Sequence, residues 1–285
     1  MSTTTIGESL TRDVVATGAG ASSERLRTIF TSLVEHLHDF VREVELTPDE
    51  WFAGIRFLTA TGQKCDDVRQ EFILLSDTLG VSMLVDALAN RDASGGTEST
   101  VLGPFFTTDA PDVPAGAAIA APGRGIPLHV TGSVSDTGGR PIANAVVEVW
   151  EVDGDGFYDV QYTDRKAPNC RGRIHTGADG RFAFDATVPV SYSIPGDGPV
   201  GEMLAQLGRH TMRPAHVHFM FAAPGFRTLT TAIYVDGDRY IDGDAVFGVK
   251  PSLVGTFVHH DGPDGGYATL HRDFVLVPEP ARAPA

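Results

Sequence analysis

Arg213-Pro214-Ala215-His216-Val217-His218-Phe219-Met220-Phe221 is the stretch on which the reading of this chain turns. Its apolar residues recur at every second position, the period of a β-strand. His216 and His218 therefore leave one face together, while Ala215, Val217, Phe219 and Phe221 leave the other toward a core. Two imidazoles at that spacing make a clamp for a metal ion. The motif alone also fits zinc or copper, and equally two ordinary polar residues on a half-exposed strand.

The sequence around the strand is β-rich. Short runs at residues 127–135, 145–152, 181–185, 229–235 and 268–277 carry strand composition, and turn sequences such as Asp136-Thr137-Gly138-Gly139 and Ala178-Asp179-Gly180 separate them. Strands at such spacing predict a β-sandwich. Residues 190–212 are rich in Gly and Pro and are expected to form a long loop.

The first ninety residues differ. Leu26, Ile29, Phe30, Leu33, Val34, Leu37, Phe40, Val41 and Val44 recur at three- and four-residue steps and stripe one face of a helix. Thr47-Pro48-Asp49-Glu50 reads as a capping box that opens a second helix through Trp51, Phe52, Ile55 and Leu58. A third is expected over residues 66–88, with Val68, Phe72, Leu75 and Leu79 on one side. Residues 1–21 show no apolar period and are expected to be a flexible arm. The fold class is mixed α and β: an arm at 1–21, a helical unit at 22–95 and a β-sandwich at 96–285.

Composition limits the function. In 285 residues, 42% are hydrophobic and 21% charged, the profile of a folded globular protein. Thirty-seven acidic against 22 basic residues give a net charge of −15, which repels phosphate backbones, so nucleic acid is not an expected partner. Cys65 and Cys170 lie far apart and predict neither a disulfide framework nor a thiolate zinc site. The N-terminus lacks a basic start followed by an apolar run, and no stretch approaches the ~18 apolar residues of a membrane span, so a cytoplasmic protein without one is expected.

Asp153-Gly154-Asp155-Gly156-Phe157-Tyr158-Asp159 lacks the ligand pattern of a calcium loop, and Asp236-Gly237-Asp238 and Asp242-Gly243-Asp244 read as turns. Two tyrosines stand where a strand gives way to a loop: Tyr158 after Phe157, and Tyr192 in Val190-Ser191-Tyr192-Ser193-Ile194-Pro195. A phenol ionises at neutral pH only beside a strong Lewis acid such as iron(III). Packing is the plain alternative role for either ring.

Arg213 to Phe219, Leu207-Gly208-Arg209-His210, Gly103-Pro104-Phe105 and both tyrosine contexts resemble the intradiol catechol dioxygenases over most of the chain. Asp155 to Gln161, Tyr192 to Pro195, Asp197-Gly198-Pro199-Val200-Gly201 and Val246-Phe247-Gly248-Val249-Lys250 are most similar to the hydroxyquinol-cleaving branch. The resemblance implies cleavage of an aromatic diol or triol by O2 to a cis,cis-muconate, at an iron(III) held by Tyr158, Tyr192, His216 and His218 with a hydroxide. It implies that Tyr192 doubles as a base and that Arg213 stabilises negative charge on the substrate.

It further implies a substrate pocket of Leu74, Asp77, Val101, Leu102, Gly103, Pro104, Phe105, Ile194, Pro195 and Val246. In that pocket Asp77 would accept a hydrogen bond from the third hydroxyl of benzene-1,2,4-triol; the alternative is that it pairs with a nearby arginine. The family likeness also implies a homodimer formed by the helical unit, with a phospholipid in an apolar tunnel. Two other readings compete: a catechol or chlorocatechol 1,2-dioxygenase using the same metal, and a non-catalytic transthyretin-like β-sandwich module suggested by residues 130–149.

Overall fold

The structure, a computed structural model, describes residues 7–66, 69–164, 167–262 and 265–279. By contacts the chain divides into two compact units, Met1–Ala60 and Thr61–Ala285.

The first unit holds α1 (Glu8–Ala16), α2 (Glu24–Glu43) and most of α3 (Pro48–Gln63). Ser23 caps α2 by accepting the Leu26 N–H at 3.1 Å. The capping box at α3 forms: Glu50 accepts the Thr47 N–H at 2.9 Å, and Thr47 accepts the Glu50 N–H at 3.4 Å. Helix α1 corrects the expectation of an irregular arm, although residues 1–6 of that arm lie outside the described residues. What orders it is tertiary, since Thr11 Oγ1 meets His38 Nδ1 at 2.9 Å and accepts Arg42 Nη1 at 3.1 Å, both on α2. Of the apolar stripe on α2 only Val34 is buried; Leu33, at 55% exposure, is typical of the rest. The apolar face of α2 is thus largely open in this chain.

The second unit begins with α4 (Glu71–Thr78) and α5 (Val81–Ala89), which meet at a 77° bend. The single helix expected over residues 66–88 is thus broken, because Gly80 takes a left-handed φ of 74° that other residues rarely adopt. Val68 of that expected helix lies outside the described residues. Among the described residues no single helix is long and apolar enough to cross a membrane.

Twelve strands and one further helix follow in the described residues: β1 (Pro127–Asp136), β2 (Val146–Glu151), β3 (Arg171–His175), β4 (Arg181–Thr187), β5 (Tyr192–Ser193), α6 (Pro199–Gln206), β6 (Met212–Arg213), β7 (His216–Ala222) and β8 (Leu229–Val235), then β9 (Val254–Gly255), β10 (Val258–His260), β11 (Tyr267–His271) and β12 (Phe274–Leu276). One sheet has the order β3-β2-β7-β8-β9; the other has β10-β11-β1-β12 with β4 also on β1. Between them lies the main core, with Val147, Val149, Val217, Phe219 and Phe221 from the first sheet against Leu128, Val130, Phe184, Leu270 and Phe274 from the second. This is the expected sandwich.

Two departures have clear causes. The run expected at residues 268–277 is split, because β1 pairs with β11 through Thr131 and with β12 from Val134 onward. At Gly132, between them, an added Cβ would fall 1.9 Å from the Arg272 carbonyl oxygen, so only glycine allows that crossover. The expected loop at 190–212 contains β5, α6 and β6, where Pro199 occupies the start of α6 and β5 pairs with β6.

Candidate functional site

Both faces of β7 are buried. Val217 and Phe219 point into the sandwich, and His216 and His218, each 1% exposed, point away from it into a second, polar interior. Register sets their surroundings. Trp150 on β2 stands opposite His218 and stacks on its ring at 4.8 Å and 6°. Pairing of β5 with β6 brings Tyr192 opposite Arg213. Tyr158 reaches the same place from the turn after β2, where Asp153 accepts the N–H groups of Asp155 and Phe157. Gln161 then receives the Tyr158 N–H at 2.8 Å.

Four donor atoms converge there. Tyr158 and Tyr192 place their hydroxyl oxygens 3.3 Å apart, and His216 and His218 place their Nε2 atoms 3.1 Å apart. Arg213 Nη1 lies 3.3 Å from the Tyr192 oxygen and 3.3 Å from His216 Nε2. The His216 Nδ1–H donates to the Pro214 carbonyl at 2.7 Å, which leaves a lone pair on Nε2 facing inward.

Burial, then the charge of Arg213, pushes the His216 imidazole well below its ordinary pKa. Burial, then His216 and Arg213, does the same to His218, so both rings are neutral at neutral pH. Burial, then Tyr192, pushes the Tyr158 hydroxyl well above its ordinary value. Burial opposes the charge of Arg213, but Asp244, Tyr192 and Tyr234 outweigh it and hold the guanidinium protonated.

The set suits a cation better than it suits itself. Two ligands each roughly 2.1 Å from one metal ion, at about 90 to 105°, stand about 3.0 to 3.3 Å apart, the spacing seen within each pair. Two buried imidazole nitrogens brought within 3.1 Å of each other gain from a shared Lewis acid, and two buried phenols can ionise only beside one. Among the described residues no group of three or more His, Cys, Asp or Glu is arranged to hold a metal ion. Here Tyr158, Tyr192, His216 and His218 could hold a hard, trivalent ion; the phenol oxygens supply the anionic donors that a carboxylate supplies elsewhere.

The pocket residues named from sequence divide into groups. Leu74, Val101, Ile194 and Val246 pack into one apolar cluster with Val200 and Leu204. Phe105 stacks on Tyr158 at 4.5 Å, and an added Cβ on Gly103, whose φ is 74°, would lie 3.5 Å from His218 Nε2. Leu102 and Pro104 are exposed, and Pro195 is half-buried beside Ile194.

Asp77 is buried on α4, and burial raises its pKa despite a hydrogen bond from Ser82 and the nearby Arg213 charge. Among the described residues it pairs with no arginine. Arg209 donates to the Thr78 and Ala245 carbonyls, and Arg213 is paired with Asp244.

Three residues of the site went unread in the sequence. Asp244, taken there for part of a turn, is buried against Arg213. Tyr234 on β8 accepts Arg213 Nη2 at 3.1 Å, and burial pushes its hydroxyl up to about 12. Trp150 lies in the run 145–152 expected as a strand and stacks on His218. For Tyr234 and Trp150 the only signal was strand parity, and for Asp244 there was none.

Residues 102–278 match the family described as dioxygenase, and residues 23–97 match the catechol dioxygenase N terminus. The 6-chlorohydroxyquinol 1,2-dioxygenase of Cupriavidus pinatubonensis is 53% identical, over 94% of this chain and 96% of that protein. The hydroxyquinol 1,2-dioxygenase of Rhodococcus opacus is 48% identical, over 96% of this chain and 95% of that one. The solved hydroxyquinol 1,2-dioxygenase of Pseudomonas putida DLL-E4 superposes with a TM-score of 0.89 at 50% identity, covering 95% of this chain and 98% of that one. Both the helical and the β-rich parts are covered, and the chain belongs to the intradiol ring-cleavage dioxygenases, enzymes that work with non-haem iron.

Proposed function

We propose that this enzyme cleaves hydroxyquinol, benzene-1,2,4-triol, between its two adjacent hydroxylated carbons, placing both atoms of O2 in the product 3-hydroxy-cis,cis-muconate. The observation that carries the reading is the convergence of two phenols and two neutral imidazoles beside one buried arginine. In this reading Tyr158, Tyr192, His216 and His218 hold iron(III), which when bound supplies the Lewis acidity that makes the diol acidic and its ring open to O2.

The chain's own groups do the rest. Tyr192, as the phenolate, would take up a hydroxyl proton of the substrate and become the phenol, and Arg213 Nη1 is the donor beside its oxygen. Arg213, 2% exposed, faces the negative charge that develops on the ring in a place where water does not screen it. Leu74, Val101, Ile194 and Val246 hold the ring and exclude water. Asp77, free of arginine, meets the third hydroxyl, so Asp77→Ala lowers the ratio of hydroxyquinol to catechol turnover.

The chlorinated substrate in the name of the Cupriavidus relative makes chlorohydroxyquinol a natural second substrate to assay alongside catechol. The test is the visible spectrum of the iron-loaded protein before and after hydroxyquinol is added without O2. A broad tyrosinate-to-iron(III) band that moves to longer wavelength supports the reading. A protein that stays colourless after iron loading overturns it.

We infer as well that residues 22–95 form the dimerisation part and 96–285 the catalytic part, and that the exposed α2 face pairs with a second copy and lines a phospholipid-holding tunnel. Cytoplasmic residence fits the cysteine usage.

A further inference from the structure

Asp244 is 6% exposed, and its two carboxylate oxygens accept four hydrogen bonds. Two come from Arg213, Nε at 3.1 Å and Nη2 at 3.2 Å. Two come from the backbone, Val246 N–H at 3.3 Å and Gly248 N–H at 2.9 Å. One carboxylate therefore fastens both the arginine and the pocket wall that carries Val246.

The far edge of the same guanidinium reaches Tyr192 and His216, each at 3.3 Å. A second buried carboxylate, Asp77, feels the charge of Arg213 but has no ion-pair partner among the described residues. An arginine presents a rigid planar fork, and a carboxylate that takes one edge in two bonds fixes where the other edge points. Without Asp244 the cation would be free to turn toward Asp77, a second buried acid that feels its charge.

We propose that Asp244 is a positioning residue that determines substrate preference: by holding Arg213 against Tyr192 it leaves the Asp77 carboxyl free for a polar ring substituent. This rests on the roles assigned above to Arg213 and Asp77. Asp244 touches no substrate and acts through the two groups that do.

The test is a double-mutant comparison in the iron-loaded full chain, with Asp244→Asn, Asp77→Ala and the pair. Two quantities are read: the hydroxyquinol-to-catechol ratio of kcat/KM, and the affinity for each diol without O2 from the shift of the visible band. Asp244→Asn is expected to lower the turnover ratio at least about tenfold, and to weaken hydroxyquinol binding more than catechol binding. Asp77→Ala is expected to lower the ratio in the parent but to change it little in the Asp244→Asn background, because Asp77 is already captured there.

Gly248→Ala supplies a second variant that keeps the Asp244 charge. Its new Cβ would lie 2.6 Å from the Tyr234 hydroxyl, 3.0 Å from Arg213 Nη2 and 3.1 Å from Asp244 Oδ2, so it displaces that hydroxyl and crowds the ion pair beside it; the same loss of preference is expected. If both variants slow the two substrates equally, or if Asp77→Ala acts equally in both backgrounds, Asp244 is merely structural and the inference is overturned. A parent protein that shows no iron band would instead overturn the proposed function, which separates the two failures.

Discussion

A phenol buried at the centre of this protein has no reason to ionise by itself, and Tyr158 is the clearest case. Burial pushes its pKa up, while its ring is held by Phe105 at 4.5 Å and its backbone by Gln161. The backbone beneath it is tied by the buried Asp159–Arg171 pair, whose arginine also donates to the Phe105 carbonyl at 3.1 Å. Tyr158 and Phe105 thus share one anchor. Tyr158→Phe keeps the ring and its packing but removes the oxygen. We expect a variant that melts within a few degrees of the parent but carries less iron, shows a changed visible band and turns over at least about a hundredfold more slowly. Metal analysis and the spectrum check this together, and full iron with an unchanged band would refute the ligand assignment.

Among the elements, β7 has two tasks on its two faces. Phe219, fully buried between the sheets, holds the sandwich that fixes the height of His216 and His218. Phe219→Ala is expected to destabilise the β-rich unit by about 3–5 kcal/mol, through lost burial and the cavity left behind, as read by urea unfolding. The loop between β5 and α6 is held more lightly. Asp197 receives Arg69 at 2.6 Å and Lys64 at 3.1 Å, and those hydrogen bonds lower its pKa from 3.8 to about 2. A depressed carboxylate contributes stability that is present above its unfolded pKa and lost as pH falls through the folded one. Asp197→Asn should therefore lower the melting temperature slightly at neutral pH, with the deficit closing between about pH 4 and about pH 2. Because Asp197 is mostly exposed, high salt should shrink the effect as well.

At the scale of the whole molecule, α2 presents Leu33 and Leu37, about half-exposed, for a partner to cover. If a second copy does, Leu33→Glu with Leu37→Glu should sediment as a monomer where the parent sediments as a dimer; an unchanged species would end the dimer proposal. The parity of β7, the α2 stripe and the α3 capping box were all legible in the sequence, because local periodicity and capping depend on residues a few positions apart. Resemblance of the Arg213–Phe219 segment and the tyrosine contexts to a known family supplied the proposed ligand set, where spacing alone left the choice of metal open. What only the tertiary structure decided lies between residues distant in the chain. Helix α1 exists because α2 receives it, and β11 and β12 part because Gly132 lets a carbonyl through. Asp244, read as a turn residue, proves to be the partner of an arginine 31 positions away. No pattern along the chain encodes that meeting; it follows from the sheet register and loop path that bring the two side chains into the same dry interior.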